Sequence, residues 1–207
     1  LILTLSIMTQ YRTTRIMCIG PARLNEAMIA LSYDHFLDAN VTKTYLITPY
    51  SKDEVYNSLE QFNIKHNFEV LSDDFFTQYD LSRWQERNWY KQQALKLCAI
   101  DYFDSEYFLI QDADIVLLKS YSMFVDDKIN FIAEKLWHEH HAIYADKVKK
   151  LIGFDRAINY SFVSELMPYC KSDWTSLKQH LGDDFLSAIA NIGDLDDTKW
   201  FSEYELL

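Results

Sequence analysis

Four short apolar runs punctuate this chain: Arg15–Gly20 (RIMCIG), Thr44–Thr48 (TYLIT), Phe68–Leu71 (FEVL) and Tyr107–Gln111 (YFLIQ). The first closes on Gly20-Pro21 and the third on Ser72-Asp73-Asp74. Brief apolar runs bounded by such turn signals read as strands buried on both faces. Between them the spacing turns helical. Asn25–Phe36 sets Ala27, Ile29, Ala30, Leu31 and Phe36 at helical intervals, with Asn40 as a terminator, and Lys52–Phe62 does the same through Val55, Leu59 and Phe62. Asn88–Phe103 (NWYKQQALKLCAIDYF) is apolar on nearly every side, which predicts a helix packed between layers. Strands alternating with helices predict an α/β fold, a mainly parallel Rossmann-like sheet flanked by helices, with ligands bound beyond the carboxyl ends of the strands. After residue 128 the pattern loosens: a strand over Asn130–Glu134 and helices over Ser172–Leu181 and Asp183–Ala190 are expected.

At 207 residues and 49% hydrophobic composition the chain can bury one sizeable core, and no linker-like stretch or repeat divides it, so one domain is expected. Its 31 acidic residues against 20 basic ones give a net charge of −11, a field that repels nucleic acid and acidic membrane surfaces. A small anion is still accessible where a divalent cation inverts the local sign. Cys18, Cys98 and Cys170 are widely separated and form no C-x-x-C pair, which fits reduced core thiols. The apolar opening Leu1–Met8 lacks a preceding basic region and is too short to span a bilayer, so it reads as a strand or a frayed edge. Because the sequence opens on Leu and not Met, nothing is read from where it starts. Thiols and the lack of a visible signal or transmembrane segment together give the expectation of a soluble, cytoplasmic protein.

With 20 Asp in the chain, roughly two D-x-D triplets are expected by chance, and two occur. Asp194-Leu195-Asp196 lies in a polar stretch and reads as a solvated loop. Asp112-Ala113-Asp114 follows the apolar run Tyr107–Gln111 and precedes another, Ile115–Leu118 (IVLL). Carboxylates dropped into an apolar strand must be solvated, neutralised or paired with a cation, since burying one alone costs several kcal/mol. Mg²⁺ or Mn²⁺ answers that need with hard oxygen ligands and open positions for phosphate oxygens. The same pair also suits a turn or helix cap at a strand end. In the preceding helix, Trp89, Gln92, Lys96, Ala99 and Phe103 share one face. If that helix runs back antiparallel to the strands, its first turn lies at the ligand edge, favouring Lys91 and Gln92 over Lys96 for direct contact. Ordinary snorkelling accounts for the same residues equally well.

The segment WYKQQALKLCAIDYFDSEYFLIQDADIVLLKS resembles the GT-A glycosyltransferases, in which a helix feeds the strand that ends in a D-x-D metal motif. The order W-x-x-Q-x-x-x-K, apolar strand, D-x-D, then SFVSELMP and FSEYEL is similar to a poorly characterised branch of bacteria and large viruses, of the chlorella-virus capsid glycosyltransferase type. The likeness spans about residues 15–207, with its specific part in 84–118, 161–168 and 201–206. It implies a GT-A-like domain over 1–207, with a nucleotide- and metal-binding half at about 15–118 and an irregular acceptor-side half at about 119–207.

Its implied activity is metal-dependent transfer of a sugar from a nucleoside diphosphate, usually UDP, to a hydroxyl on a glycan or glycoprotein. Asp114 becomes the main ligand of Mn²⁺ or Mg²⁺, with Asp112 shared between metal and ribose. Gly20, Pro21 and Asp73 at strand ends would meet the nucleotide, together with Lys91, Gln92 and Lys96. Glu165 and Glu203 would stand on the acceptor side as catalytic carboxylates. Many relatives add a late metal ligand, often His, and none is assigned here: Trp137-His138-Glu139-His140-His141 lacks the H-E-x-x-H spacing and reads as a solvated or acceptor-facing loop. Asn159–Glu165 suits sugar recognition and a helix start alike. A nucleotidyltransferase would need a glycine- and basic-rich triphosphate loop, of which Gly20-Pro21-Ala22-Arg23 is a poor version. A non-catalytic carbohydrate- or partner-binding module of the same fold would differ in not releasing UDP.

Overall fold

The computed structural model describes residues 11–37, 41–65, 67–84, 88–132, 139–155, 160, 163–192 and 202. Three strands alternate with helices from the start: β1 (Thr13–Cys18), α1 (Leu24–Ser32), β2 (Val41–Thr48), α2 (Lys52–Gln61) and β3 (Phe68–Ser72). Then follow α3 (Asn88–Tyr102), β4 (Tyr107–Asp112), the two-residue strands β5 (Phe124–Val125) and β6 (Lys128–Ile129), α4 (Glu139–Ile152), β7 (Leu166–Cys170), α5 (Lys171–Leu181) and α6 (Phe185–Ala190). The main sheet has the order β3-β2-β1-β4-β7, parallel except for β7, which runs antiparallel beside β4. The short β5–β6 pair stands apart from it. Strand order therefore reverses between β1 and β4, the place where an open α/β sheet leaves a crevice at its carboxyl edge.

Alternation along the strands divides the core into two layers. Met17, Ile19, Leu46 and Val70 face α1 and α2, meeting Ala27, Met28, Leu31, Val55 and Leu59. Ile16, Cys18, Ile47, Leu71, Phe108 and Ile110 face the other way, onto α3, α5 and α6. From Ala94 to Ile100 every residue of α3 is buried, as its all-round apolar pattern predicts for a helix enclosed between layers. At its far end Lys171 donates to the carbonyls of Ile100, Asp101 and Phe103, closing the orphaned last turn. Asp101 ties α5 to the same end, accepting from Lys178, from the Trp174 indole at 2.9 Å and from the Tyr79 hydroxyl at 2.6 Å. Burial pulls its carboxyl upward and these donors outweigh that, so it is held below the ordinary carboxylate range.

Several sequence expectations change here. Ile115–Leu118 is not a strand: β4 ends at Asp112, and Leu118 is 79% exposed. The carboxylate pair thus sits at a strand end, where one of the two can be solvated. Residues 130–132 form no strand, and the rest of that expected run lies outside the described residues. A helix begins at Glu139, where a loop over 137–141 is expected; Trp137 and His138 lie outside the described residues. Of Asn159–Glu165, residues 163–165 lead into β7 and start no helix, while 159, 161 and 162 lie outside the described residues. Leu1–Met8, Asp194-Leu195-Asp196 and Glu203 also fall outside the described residues.

One charge lies inside the sheet. Arg15, 2% exposed on β1, grips Asp34 with two guanidinium nitrogens at 2.7 and 2.5 Å, and donates to Thr44 Oγ1 on β2 and to Gln111 Oε1 on β4. Asp34 sits in a 3-10 turn after α1, so this network pins that turn beneath three strands. Removing one partner of a buried pair strands the other charge, at a typical cost of about 3–5 kcal/mol. Arg15→Met is expected to lose that much in urea unfolding, and Arg15→Met combined with Asp34→Leu to recover most of it. A single-variant loss under about 1 kcal/mol would contradict the assignment.

Candidate active site

β4 alternates like the other strands, so its last two residues point to opposite faces. Gln111 joins the Arg15 network on the α1 side, while Asp112, registered beside Cys18, turns toward α3. There the ammonium of Lys96 meets it at 2.6 Å, with the Lys96 side chain 1% exposed and Asp112 30%. A buried lysine needs such a counter-charge. Lys96 therefore holds one carboxylate of the pair, Asp112, from beneath, and it lines neither cavity described below, whereas Gln92 and Lys91, favoured by the sequence for ligand contact, do.

The turn that carries Asp114 is fixed at both ends. Ile115 N–H donates to the Asp112 carbonyl at 3.3 Å, and the Gln111 amide donates to the Ile115 carbonyl at 3.1 Å. Because Gln111 accepts from Arg15 through its own oxygen, its amide orientation follows from the network. Across the antiparallel edge, Asp112 N–H donates to the carbonyl of Glu165 at 2.8 Å. Glu165 is exposed at the head of β7, beside the carboxylate pair by backbone and outside the lining of the cavity below.

Asp112 and Asp114 open into a cavity of about 340 Å³, lined also by Gly20, Pro21, Arg23, Asn88, Trp89 and Gln92. It lies at the carboxyl ends of β1 and β4, at the reversal of strand order. The N-terminal end of α3 supplies Asn88, Trp89 and Gln92, so this helix does run back against the strands. A Cβ on Gly20 would stand 2.5 Å from the Gln92 amide nitrogen; the missing side chain is the space that amide occupies.

Gly20-Pro21-Ala22-Arg23 forms a tight turn closed by Arg23 N–H to the Gly20 carbonyl at 3.1 Å. Pro21 holds its second position, and Ala22 its third with a left-handed φ of 63°. The Tyr50 hydroxyl secures it by accepting from Ala22 N–H at 2.7 Å. Tyr50 is itself placed by the Ser51–Glu54 capping box that starts α2.

Asp73 and Lys91 do not join the carboxylate pair. They bond each other at 2.6 Å and line a narrower recess of about 60 Å³ with Ile47, Pro49 and Leu95, toward β2 and β3. That recess shares Cys18, Gly20, Pro21, Asn88 and Gln92 with the larger cavity. Arg23, Asn88 and Trp89 are cavity residues to which the sequence assigned no role in the site, although Trp89 stands in the W-x-x-Q-x-x-x-K pattern and Arg23 in the Gly20–Arg23 turn. For Arg23 and Asn88 the signal was position, a basic residue just past the strand-ending turn and a residue opening the helix before the D-x-D strand; Trp89 also shared a helix face with Gln92. Cys18 and Cys98 are buried and Cys170 is half-buried, and none of the three is in a disulfide.

Two carboxylates on one cavity wall form a hard-oxygen donor set that suits Mg²⁺ or Mn²⁺. Among the described residues no group of three or more His, Cys, Asp or Glu side chains could hold a metal ion, so a cation here would complete its shell with water or ligand oxygens. No described helix is long and apolar enough to cross a membrane.

A comparison of the sequence with curated proteins returned no match. Solved structures share the fold. The galactosyltransferase LgtC in complex with donor and acceptor sugar analogues superposes with a TM-score of 0.53 at 14% identity, over 93% of this chain and 68% of LgtC. The apo bifunctional glycosyltransferase WbbM gives a TM-score of 0.53 at 8% identity, over 95% of this chain and 36% of WbbM. At such identities the likeness establishes the architecture, which is that of the GT-A glycosyltransferases. Residues 22–204 match a single sequence family, described as a family of unknown function (DUF6492), and the chain belongs to that family.

Proposed function

We propose that this chain is a glycosyltransferase, moving a sugar from a nucleoside-diphosphate sugar, first of all a UDP-sugar, to a hydroxyl of a glycan or glycoprotein. The observation that carries this reading is the convergence of Asp112 and Asp114 on a cavity at the β1/β4 reversal of a GT-A-type sheet. Asp112 and Asp114 would hold Mn²⁺ or Mg²⁺. When bound, that cation neutralises charge developing on the departing diphosphate.

The residues around the pair have separable tasks in this reading. Lys96 keeps the Asp112 carboxylate in one place and brings a positive charge under the diphosphate. The Gln111 amide fixes the turn from which Asp114 projects. Gln92 presents an amide over Gly20 to a phosphate or ribose oxygen, and Arg23 offers a cation from the cavity lining. Asp73 and Lys91, bonded to each other, shape the recess on the nucleoside side. Glu165 is the candidate base for the acceptor hydroxyl, because its backbone is bonded to Asp112 and its side chain reaches solvent. Glu203 is proposed for the same side on sequence grounds alone.

Charge decides the metal requirement. A phosphate about 6 Å from a carboxylate is repelled by roughly 3 kcal/mol at an effective dielectric near 20. That is a loss of about 100-fold in affinity, which a divalent cation between them reverses. Calorimetry should accordingly show UDP binding at least about 100-fold more tightly with Mn²⁺ than with EDTA, and Asp114→Asn should abolish the difference. Equal affinity in chelator would end the metal assignment. In transfer assays Glu165→Gln is expected to lower turnover by about 10²–10⁴-fold with UDP affinity intact. Wild-type turnover would remove Glu165 from the chemistry, and no metal-dependent UDP release by the wild-type protein would favour a binding module.

A further inference from the structure

Trp89 lines the cavity of Asp112 and Asp114 and yet is 45% exposed. It stands in the first turn of α3, where two rings hold it. Tyr90, buried, meets it edge-on with centroids 4.9 Å apart, and Tyr144 of α4 lies with its centroid 6.4 Å away and its plane inclined by 25°. An indole kept in water by this much forgoes much of its transfer free energy, and two rings flank it. What they present is a preorganised flat apolar face beside polar groups.

The remaining cavity wall determines what such a face can take. Asp112, Asp114, Gln92, Asn88 and Arg23 are hydrogen-bonding or charged, so a ligand touching both must combine a polar rim with a flat, slightly positive C–H face. A pyranose has that pair of properties: equatorial hydroxyls around the ring, and axial C–H bonds that suit the negative face of an indole. A nucleobase is flat as well, but the layout of the sheet edge favours the other side for it. The recess of Ile47, Pro49, Asp73 and Lys91 opens toward β3, and Trp89 does not line it. Tyr144 belongs to α4, which packs on α5, and α5 follows β7 at the opposite edge of the sheet. With a diphosphate at the carboxylates and a nucleoside toward β3, the sugar lies toward Trp89.

We propose that Trp89, flanked by Tyr144, is a stacking platform for a pyranose ring, either the hexose of the donor or the terminal sugar of the acceptor. The proposal rests on the nucleotide-sugar reading of the cavity. Its test labels the protein with 5-fluorotryptophan and identifies the Trp89 resonance, one of five tryptophans, by its loss in Trp89→Phe. Methyl hexopyranosides are titrated to roughly 100 mM, a range that captures millimolar contacts, with and without UDP and Mn²⁺. In parallel, calorimetry compares UDP with UDP-glucose, UDP-galactose and UDP-N-acetylglucosamine for the wild type, Trp89→Ala and Trp89→Phe.

A donor platform gives a loss of about 10-fold or more for at least one UDP-sugar in Trp89→Ala, largely kept in Trp89→Phe, with UDP itself within about twofold of wild type. An acceptor platform gives a saturable shift of the Trp89 resonance on adding pyranoside over UDP and Mn²⁺. An equal loss of UDP and UDP-sugar in Trp89→Ala would assign the indole to the base and overturn the proposal, as would silence in both arms. If the wild-type protein binds no UDP, the nucleotide-sugar reading fails by itself, and the pyranoside titration without nucleotide still decides the platform.

Discussion

Arg15 is the constraint on which the rest of the molecule depends. A guanidinium enclosed in a sheet must have its donors satisfied, and here they reach Asp34, Thr44 and Gln111. Those partners come from the turn after α1, from β2 and from β4, so one side chain sets the relation of three neighbouring elements to β1. The network does not stop at the core. Through the Gln111 amide it continues to the Ile115 carbonyl, and so to the turn from which Asp114 projects. Folding stability and the geometry of the carboxylates are thereby linked through the same few bonds.

Period-two alternation then gives Gln111 and Asp112 different work. Gln111 is fully buried and turned toward Arg15; Asp112, one residue later, is turned toward Lys96. A slip of one residue in the register of β4 would send the amide to the cavity and the carboxylate into the Arg15 layer. That register is held on both sides, by parallel pairing with β1 and by antiparallel pairing with β7, whose lead-in residue Glu165 accepts from Asp112 N–H. The late strand is therefore a structural support of the cavity edge, although it lies far from it in sequence.

What the sequence discloses follows from how local each signal is. The parallel strands and α2, α3 and α5 stand close to their expected limits because apolar run length, helical spacing and turn residues are local properties, while α1 ends at Ser32, short of the expected Phe36, which falls in the 3-10 turn that follows. β7 is not legible: its five residues contain Pro168, which reads against a strand and is tolerated because β7 is at the sheet edge. α4 hides behind its histidine-rich start, and Ile115–Leu118 imitates a strand while serving as a turn and loop, half-buried at 115–117 and exposed at Leu118. Pairings between distant residues carry no local signal at all. Lys96 and Gln92 are legible as polar residues on an apolar helix, but nothing nearby says that one holds Asp112 and the other fills the space over Gly20. The same holds for Asp73 and Lys91, whose mutual bond places them in the side recess.

The two carboxylates end up electrically unequal, and the inequality bears on the proposed chemistry. Asp112 is partly enclosed and shares its charge with Lys96, whereas Asp114 is exposed on the turn. Arg23, which also lines the cavity, is shared with Glu26 at 3.1 Å. Among the described residues the cavity without a metal therefore keeps about one uncompensated negative charge, in a chain whose whole field is already negative. A single divalent cation would invert that sign locally and leave it positive toward a diphosphate carrying two charges. Because Lys96 already satisfies much of Asp112, the cation would be held mostly by Asp114 and by the phosphates themselves. Metal and nucleotide would then bind as one unit, each supplying ligands or charge that the other lacks.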